Sequence, residues 1–187
     1  MKKIKLVTLL CTCMAVFLLL AGCAGNNDDT TPETVEENSE GKDHSSKYGI
    51  TINEEDVEFT ESRGEEVTIS KNPKRVIVLQ NSLLEIWDQA GGTVIGRVDE
   101  SEDKVVENAM SAETVGKIGS PSLEKILSLK PDLVIVASSY SAQREMIPAL
   151  EQSDIQVISL ENNLLEDYYK TMRLFTAITE REDLYES

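Results

Sequence analysis

The chain has 187 residues, of which 28% are charged, and its formal net charge at pH 7 is −16. An acidic chain of this kind repels phosphate backbones, which argues against nucleic acid as a partner. The sequence has one histidine, His44, in a polar stretch, and three cysteines. The cysteines, at positions 11, 13 and 23, lie in or next to a predicted N-terminal export signal, so no thiol is left for the folded part; with His44 as the only histidine, neither a Ser-His-Asp triad nor a Cys/His metal site is expected.

The N-terminus has the pattern of an export signal. Three lysines precede an almost unbroken apolar run, Leu6 to Leu20, which is too short for a comfortable membrane span and is typical of a signal peptide. The run ends in Leu20-Ala21-Gly22-Cys23, which resembles a bacterial lipobox. We therefore predict a lipoprotein signal peptide over residues 1–22, with Cys23 diacylated as the mature N-terminus. The alternative is an ordinary secretory signal followed by an incidental cysteine.

Residues 23–47 are expected to form an acidic, disordered tether. Asn26 to Lys47 is rich in Asn, Asp, Thr, Glu and Ser and contains almost nothing apolar, so this stretch cannot bury a core. A solvated tether would hold a folded domain away from a lipid surface. Cys11 and Cys13 lie inside the signal peptide, so Cys23 would be the only cysteine of the mature chain and no disulfide is expected.

The folded part is predicted to begin near Tyr48 with a β-hairpin. Apolar residues alternate from Ile50 to Ile69 around a turn that contains Gly64. Arg75 to Gln80 is a short β-branched run and predicts a buried strand.

A helix should follow this strand. Ser82 and Glu85 have the spacing of a capping box at its start. One face of the helix is apolar, and Gly91-Gly92 ends it; the apolar residues are Leu83, Ile86, Trp87 and Ala90.

The middle of the chain predicts a strand, a loop and a second helix. Val94-Ile95 starts a short strand, and Asp99 to Ala112 is a polar surface loop. Ser120 is the expected N-cap of the helix, with Pro121 in its first turn. Its apolar stripe is Leu123, Ile126 and Leu127. Glu124 lies roughly 120° around the helix from that stripe and should face solvent.

The last third alternates between strand and helix. Pro131 ends the second helix, and buried strands are predicted at Leu133 to Val136 and at Ile155 to Leu160. A helix from Ala142 to Gln152 is interrupted by Pro148, which predicts a kink or a late start. A long amphipathic helix follows, and Glu180 to Ser187 begins one more; the apolar face of the long helix is Leu164, Tyr168, Met172, Phe175 and Ile178.

This order of elements predicts an α/β fold: a doubly wound parallel sheet with helices on both faces. Ligands of such sheets bind outside the carboxyl ends of the strands. Phosphate-binding motifs are absent, because Gln89 to Gly92 follows a helix rather than a strand. The acidic residues from Asp99 to Asp103 are interpreted as a solvated charge run rather than a metal site. No cofactor is expected.

Two segments carry a family resemblance. Asn72 to Arg97 (NPKRVIVLQNSLLEIWDQAGGTVIGR) and Val115 to Ser139 (VGKIGSPSLEKILSLKPDLVIVASS) resemble the N-terminal lobe of ABC-transporter substrate-binding proteins for ferric siderophores, haem and cobalamin. The block SLEKILSLKPDLVI is the most specific part, and the resemblance covers roughly Val57 to Ser187. It implies that residues 48–187 are one Rossmann-like lobe of a two-lobed periplasmic-binding-protein fold, and a binding protein rather than an enzyme.

The resemblance also implies site residues and partners. Glu124 matches an acidic residue that docks the lobe on an arginine of the membrane permease, which works with an ATPase. The loops after the strands match cleft-lining loops, and hydroxyls with one guanidinium suit an anionic metal chelate. For each of these residues the alternative is an ordinary loop position. The implied ligand-binding residues are Asn81, Ser82, Arg97, Ser120, Ser138, Ser139 and Tyr140.

The family has a second lobe that this sequence does not show. Three explanations for the missing lobe remain: the sequence is a fragment of a longer receptor, the gene is split, or the gene is degraded. A fragment or truncated product is favoured. Affinity of one lobe for a ligand should be poor, because affinity needs contacts from both walls of the cleft. The alternative function is a single-lobe extracellular interaction or sensory module. A lipid-anchored hydrolase is disfavoured, because the sequence lacks a nucleophile-base pair.

Overall fold

The computed structural model describes residues 48–100 and 106–185. The predicted signal peptide, Cys23, the tether and positions 101–105 of the acidic loop lie outside the described residues. Within the described ranges, no helix combines the length and apolar character needed to cross a membrane.

The N-terminal part of the fold is a three-stranded antiparallel sheet. Its strands are β1 (Ile50–Ile52), β2 (Asp56–Thr60) and β3 (Glu66–Ser70), paired in the order β1-β2-β3. The predicted hairpin is confirmed as β2–β3, and Gly64 adopts a φ of 81° in its turn, a conformation that glycine adopts without steric cost. Side chains alternate between the two faces of β2, so Val57 and Phe59 are buried and Glu58 and Thr60 are exposed.

The second sheet has six strands and is almost entirely parallel. They are β4 (Val76–Val78), β5 (Gly96–Asp99), β6 (Glu113–Lys117), β7 (Ser120–Pro121), β8 (Leu133–Ala137) and β9 (Gln156–Leu160). Their order is β7-β6-β5-β4-β8-β9, and only the pairing of β6 with β7 is antiparallel. The predicted doubly wound parallel sheet is therefore confirmed. Strands β4 and β8 are central and buried along their whole length, as continuous apolar runs predict.

Helices cover both faces of this sheet. They are α1 (Asn81–Gln89), α2 (Leu123–Ser128), α3 (Ser141–Glu151) and α4 (Leu165–Ile178). Helices α1 and α4 share one buried cluster with the three-stranded sheet. Helices α2 and α3 share a second cluster on the other face. Successive residues of β4 alternate between them, since Val76 and Val78 belong to the first cluster and Ile77 to the second.

Both predicted helix caps are wrong. Helix α1 begins at Asn81, so Ser82 lies inside it and Gln80 is the N-cap residue. Helix α2 is capped by Ser122, whose Oγ accepts a hydrogen bond of 3.3 Å from the backbone N–H of Lys125. Ser120 and Pro121 are not helical because they pair with β6 as strand β7. In each case the predicted cap is a serine, a favoured N-cap residue, two positions away from the actual N-cap.

Four other features of the structure differ from the sequence predictions. The strand expected at Val94-Ile95 begins instead at Gly96, where Ile77 of β4 lies opposite in the sheet. Strand β6 was missed because its sequence, ETVGK, has little apolar character. Helix α3 continues through Pro148, which lies on its exposed side. Leu164 was expected on the buried face of α4 but is 68% exposed.

Several packing predictions are confirmed. The apolar face of α1 is buried as predicted, and Trp87 is in edge-to-face contact with Phe175 of α4 at a centroid distance of 5.0 Å. Ile126 of α2 is fully buried, whereas Glu124 in the first turn of the same helix is exposed.

Candidate functional site

The carboxyl ends of β4 and β8 form the centre of the candidate site. These strands are parallel neighbours with Val78 opposite Ile135, and the N–H of Leu79 donates to the carbonyl of Ile135 at 2.9 Å. The chain then leaves β4 into α1 through Asn81 and leaves β8 into α3 through Ser138, Ser139 and Tyr140. Five of the seven predicted ligand residues therefore lie along one edge of the sheet, at two adjacent strands; they are Asn81, Ser82, Ser138, Ser139 and Tyr140.

The N-termini of α1 and α3 open at this edge without side-chain caps. Gln80 and Tyr140 occupy the N-cap positions, neither makes a capping hydrogen bond through its side chain, and neither helix has an acidic residue in its first turn. In α4, by contrast, the Asp167 carboxylate accepts from the N–H groups of Asn163 and Leu164 at 3.0 and 2.9 Å. Helix N-termini attract anions, so two uncapped ones at neighbouring strands favour a negatively charged ligand.

Arg144 adds a guanidinium that the sequence analysis missed. It is exposed in the first turn of α3, and its Nη1 donates to the carbonyl of Ser138. The residues predicted from the sequence after β8 end at Tyr140. Ligands of a parallel sheet bind outside the carboxyl ends of its strands, and the first turn of the following helix lies at the same edge, so this principle also covers Arg144.

The three residues after β8 have different surroundings. The backbone N–H of Ser138 donates to the Leu160 carbonyl at 2.8 Å, which joins this loop to the end of β9. The Ser138 Oγ is buried and has no hydrogen-bond partner within the described residues. Ser139 is exposed. Tyr140 is half-buried and packs against the cluster that contains α1 and α4.

Arg97 and Ser120 lie away from this centre. Arg97 was expected to follow its strand, but it lies inside β5 opposite Thr114, so that expectation is wrong. Its guanidinium donates to the carbonyls of Ala109 and Val98, each at 3.1 Å, which fastens the loop before β6. Ser120 is exposed in β7, opposite Lys117. Their contribution to ligand binding stays a prediction.

A buried carboxylate supports the outer edge of β9. Glu61 is 4% exposed, and its Oε2 accepts from the backbone N–H of Ser159 at 2.7 Å, while its Oε1 is paired with Arg63. Arg63 also reaches Glu151 at the end of α3, at 3.1 Å. Burial raises the pKa of Glu61 above its usual value of 4.5, against the opposing effects of the Ser159 N–H and Arg63. The cluster connects the β2–β3 hairpin to the last strand of the main sheet.

Other parts of the described structure fit a metal or its chelate less well. Within residues 48–100 and 106–185, no group of three or more His, Cys, Asp or Glu side chains could hold a bare metal ion. A groove of about 430 Å³ lies on the outer face of the three-stranded sheet, lined in part by Glu58, Glu66 and Thr68. Its carboxylates would repel an anionic ligand, so the edge at β4 and β8 is the better candidate.

Comparisons with known proteins agree on one family. Residues 76–187 match the family model described as periplasmic binding protein. The chain is 28% identical over 156 residues to the Fe(3+)-citrate-binding protein YfmC of Bacillus subtilis, covering 79% of this chain and 44% of the relative. It is 29% identical over 161 residues to the uncharacterized ABC transporter substrate-binding lipoprotein YvrC of the same organism, covering 84% and 46%.

A solved structure shows the same fold. The periplasmic catecholate-siderophore binding protein VctP of Vibrio cholerae superposes with a TM-score of 0.59 at 19% identity, covering 71% of this chain and 48% of the other. The chain thus spans about half the length of the relatives it matches.

Proposed function

The chain belongs to the periplasmic binding protein family, and on that premise we propose that it is a substrate-binding component of an ABC importer for an anionic ferric chelate. The observation that carries the choice of ligand is the convergence of two uncapped helix N-termini, those of α1 and α3, with Arg144 at the ends of β4 and β8. Partial positive charges and a guanidinium suit the carboxylates of a citrate-type or other siderophore better than a neutral corrinoid.

The proposed binding residues fall into two groups. Arg144 and the backbone N–H groups at the start of α1 and α3 supply positive charge. Ser82, Ser138 and Ser139 supply hydroxyls that can donate to or accept from chelate oxygens. A relative whose name specifies ferric citrate supports this assignment. Asn81 and Tyr140 lie at the same edge. The outlying predicted ligand residues are Ser120, which follows the β6–β7 turn, and Arg97, whose guanidinium already donates to the carbonyls of Ala109 and Val98.

The proposal also covers location and delivery. A lipid on Cys23 would anchor the chain at the extracytoplasmic face of the cell membrane. The name of the relative YvrC, a substrate-binding lipoprotein, supports this assignment. Glu124, exposed at the start of α2, would then contact an arginine of the permease. The permease and its ATPase are the expected protein partners, and the chain itself would perform no chemical reaction.

The test is a calorimetric titration with ferric citrate, set beside free citrate, haem and cyanocobalamin. We expect heat of binding with ferric citrate and a loss of about 10- to 100-fold in affinity for Arg144→Gln, the range of about 1.5–3 kcal/mol for a hydrogen bond to a charged group. Arg75→Gln is the matched control, because Arg75 also donates to a main-chain carbonyl, that of Lys130, but precedes β4 at the opposite edge.

Two results would count against the proposal. Absence of binding to ferric citrate, together with binding of cyanocobalamin, would replace the anionic chelate by a corrinoid. Equal affinities for Arg144→Gln and Arg75→Gln would show that the guanidinium at the end of β8 takes no part in binding.

A further inference from the structure

A glutamine lies fully buried beside the candidate site. Gln143 is the third residue of α3, and its exposure is 0%, whereas its helical neighbours Arg144 and Glu145 are exposed. Burying an amide is unfavourable unless its polar atoms are hydrogen-bonded. The partners of Gln143 therefore indicate what its burial achieves.

The Gln143 side-chain amide makes three hydrogen bonds, each to the end of a different strand. Oε1 accepts from the backbone N–H of Ala137 at 2.8 Å, at the end of β8. Nε2 donates to the carbonyl of Leu79 at 2.9 Å, just after β4, and to the carbonyl of Ile118 at 2.7 Å, just after β6. The two carbonyls and one N–H also fix the orientation of the amide, because its oxygen could not replace its nitrogen.

The sheet itself does not pair these three ends. Strand β5 lies between β4 and β6, so no ladder hydrogen bond connects Leu79 with Ile118. The ends of β4 and β8 are held to each other by ladder bonds, and β6 and β7 are paired across their turn at Lys117 and Ser120. Gly119 in that turn is exposed, and a Cβ added to it would meet no atom within 4 Å. The hydrogen bonds of Gln143 add a link between this turn and the loops after β4 and β8 that the ladders do not supply.

We propose that Gln143 is a positioning residue that fixes the β6–β7 turn against the loops after β4 and β8, and so sets the shape of the ligand-binding wall. The inference takes its ligand from the proposed function, but the hydrogen bonds of Gln143 can be tested in the absence of any ligand. The three segments that the amide joins lead directly to Ser120, to Asn81 and Ser82, and to Ser138, Ser139 and Tyr140.

The first measurement uses the unaltered chain. Both protons of the Gln143 side-chain amide are buried and bonded, so in two-dimensional ¹⁵N NMR they should exchange with solvent at least about 100-fold more slowly than those of the exposed Gln152. Equally fast exchange would overturn the inference, whatever the ligand.

The second measurement uses two variants of similar length. Gln143→Met removes all three hydrogen bonds, and Gln143→Glu keeps an acceptor for Ala137 while placing a carboxylate against two carbonyls. We expect both to speed exchange of the backbone amides of residues 118–120 at least about tenfold, with 156–160 unchanged, and only Gln143→Met to expose the Ala137 amide. Gln152→Met, at the C-cap of the same helix, is the control. Unchanged exchange at 118–120 in the folded variants would overturn the inference.

Ligand binding then separates the two proposals. If the parent chain binds ferric citrate, the Gln143 variants should bind at least about tenfold more weakly, as expected for a loss of about 1.4 kcal/mol or more. Parent-like affinity would refute the role of Gln143 in shaping the wall. If the parent does not bind ferric citrate while exchange at 118–120 responds as expected, the proposed function fails and the positioning role stands.

Discussion

Replacing Gly92 by alanine should strongly destabilise the lobe, because the added methyl group has no room beside Trp87. A Cβ on Gly92 would lie 2.2 Å from Cε2 and Nε1 of Trp87 and 2.6 Å from its Cδ2. Real Cβ atoms do not approach so closely, and the indole ring is only 1% exposed. Either the ring or the backbone at Gly92 must therefore move.

The cost can be estimated from what the ring would lose. Overpacking a well-packed core costs about 1–3 kcal/mol. The indole Nε1 donates to the Thr93 carbonyl at 3.1 Å, and a buried donor left without its acceptor costs about 1–3 kcal/mol more. Displacing the ring also disturbs its edge-to-face contact with Phe175. The expected loss is about 2–6 kcal/mol, a large part of a typical total of about 5–15 kcal/mol.

Urea unfolding followed by intrinsic fluorescence measures this loss directly, since Trp87 is the only tryptophan of the chain. The midpoint should fall at an unchanged slope, and the native emission should shift as the ring moves. Gly119→Ala is the matched control, because its Cβ would meet no atom within 4 Å, and it should change stability by less than about 0.5 kcal/mol. A parent-like midpoint and emission for Gly92→Ala would refute the packing described for α1.

Three further predictions concern the buried carboxylate, the lipid anchor and delivery to the permease. Burial raises the folded-state pKa of Glu61 above 4.5, so its contribution to stability is fully present below that pH and is lost as the pH rises through the raised value. Glutamine does not ionise, so the free energy of unfolding of Glu61→Gln, measured in urea titrations, should rise relative to that of the parent as the pH increases above 4.5. A difference between the two proteins that is independent of pH would contradict this sign. In cells, Cys23→Ser should release the chain from membranes. Glu124→Ala should leave it attached, with unchanged chelate binding but slower uptake; attachment of the first variant, or normal uptake by the second, would contradict these roles.

The sequence by itself determined the elements whose signal is local. Strands β4 and β8 are continuous β-branched and apolar runs, and β9 is rich in such residues at Val157, Ile158 and Leu160. This composition predicts burial whatever the neighbours are. The exposed position of Glu124 followed from helical periodicity in the same way. The alternation of strands and helices then restricted the topology to a doubly wound sheet, which placed Ser138, Ser139 and Tyr140 at one edge with Asn81 and Ser82.

Only the tertiary structure decided which polar side chains hydrogen-bond to the protein's own backbone and which face the site. Arg97 has the right chemistry for an anion but donates to Ala109, twelve residues away. Gln143 carried no local signal, because its partners Leu79 and Ile118 are 64 and 25 residues distant in sequence. Hydrogen bonds over such separations depend on strand order and register, which periodicity does not encode. The reach of a polar side chain across strands is therefore the part of this site that had to be seen in three dimensions.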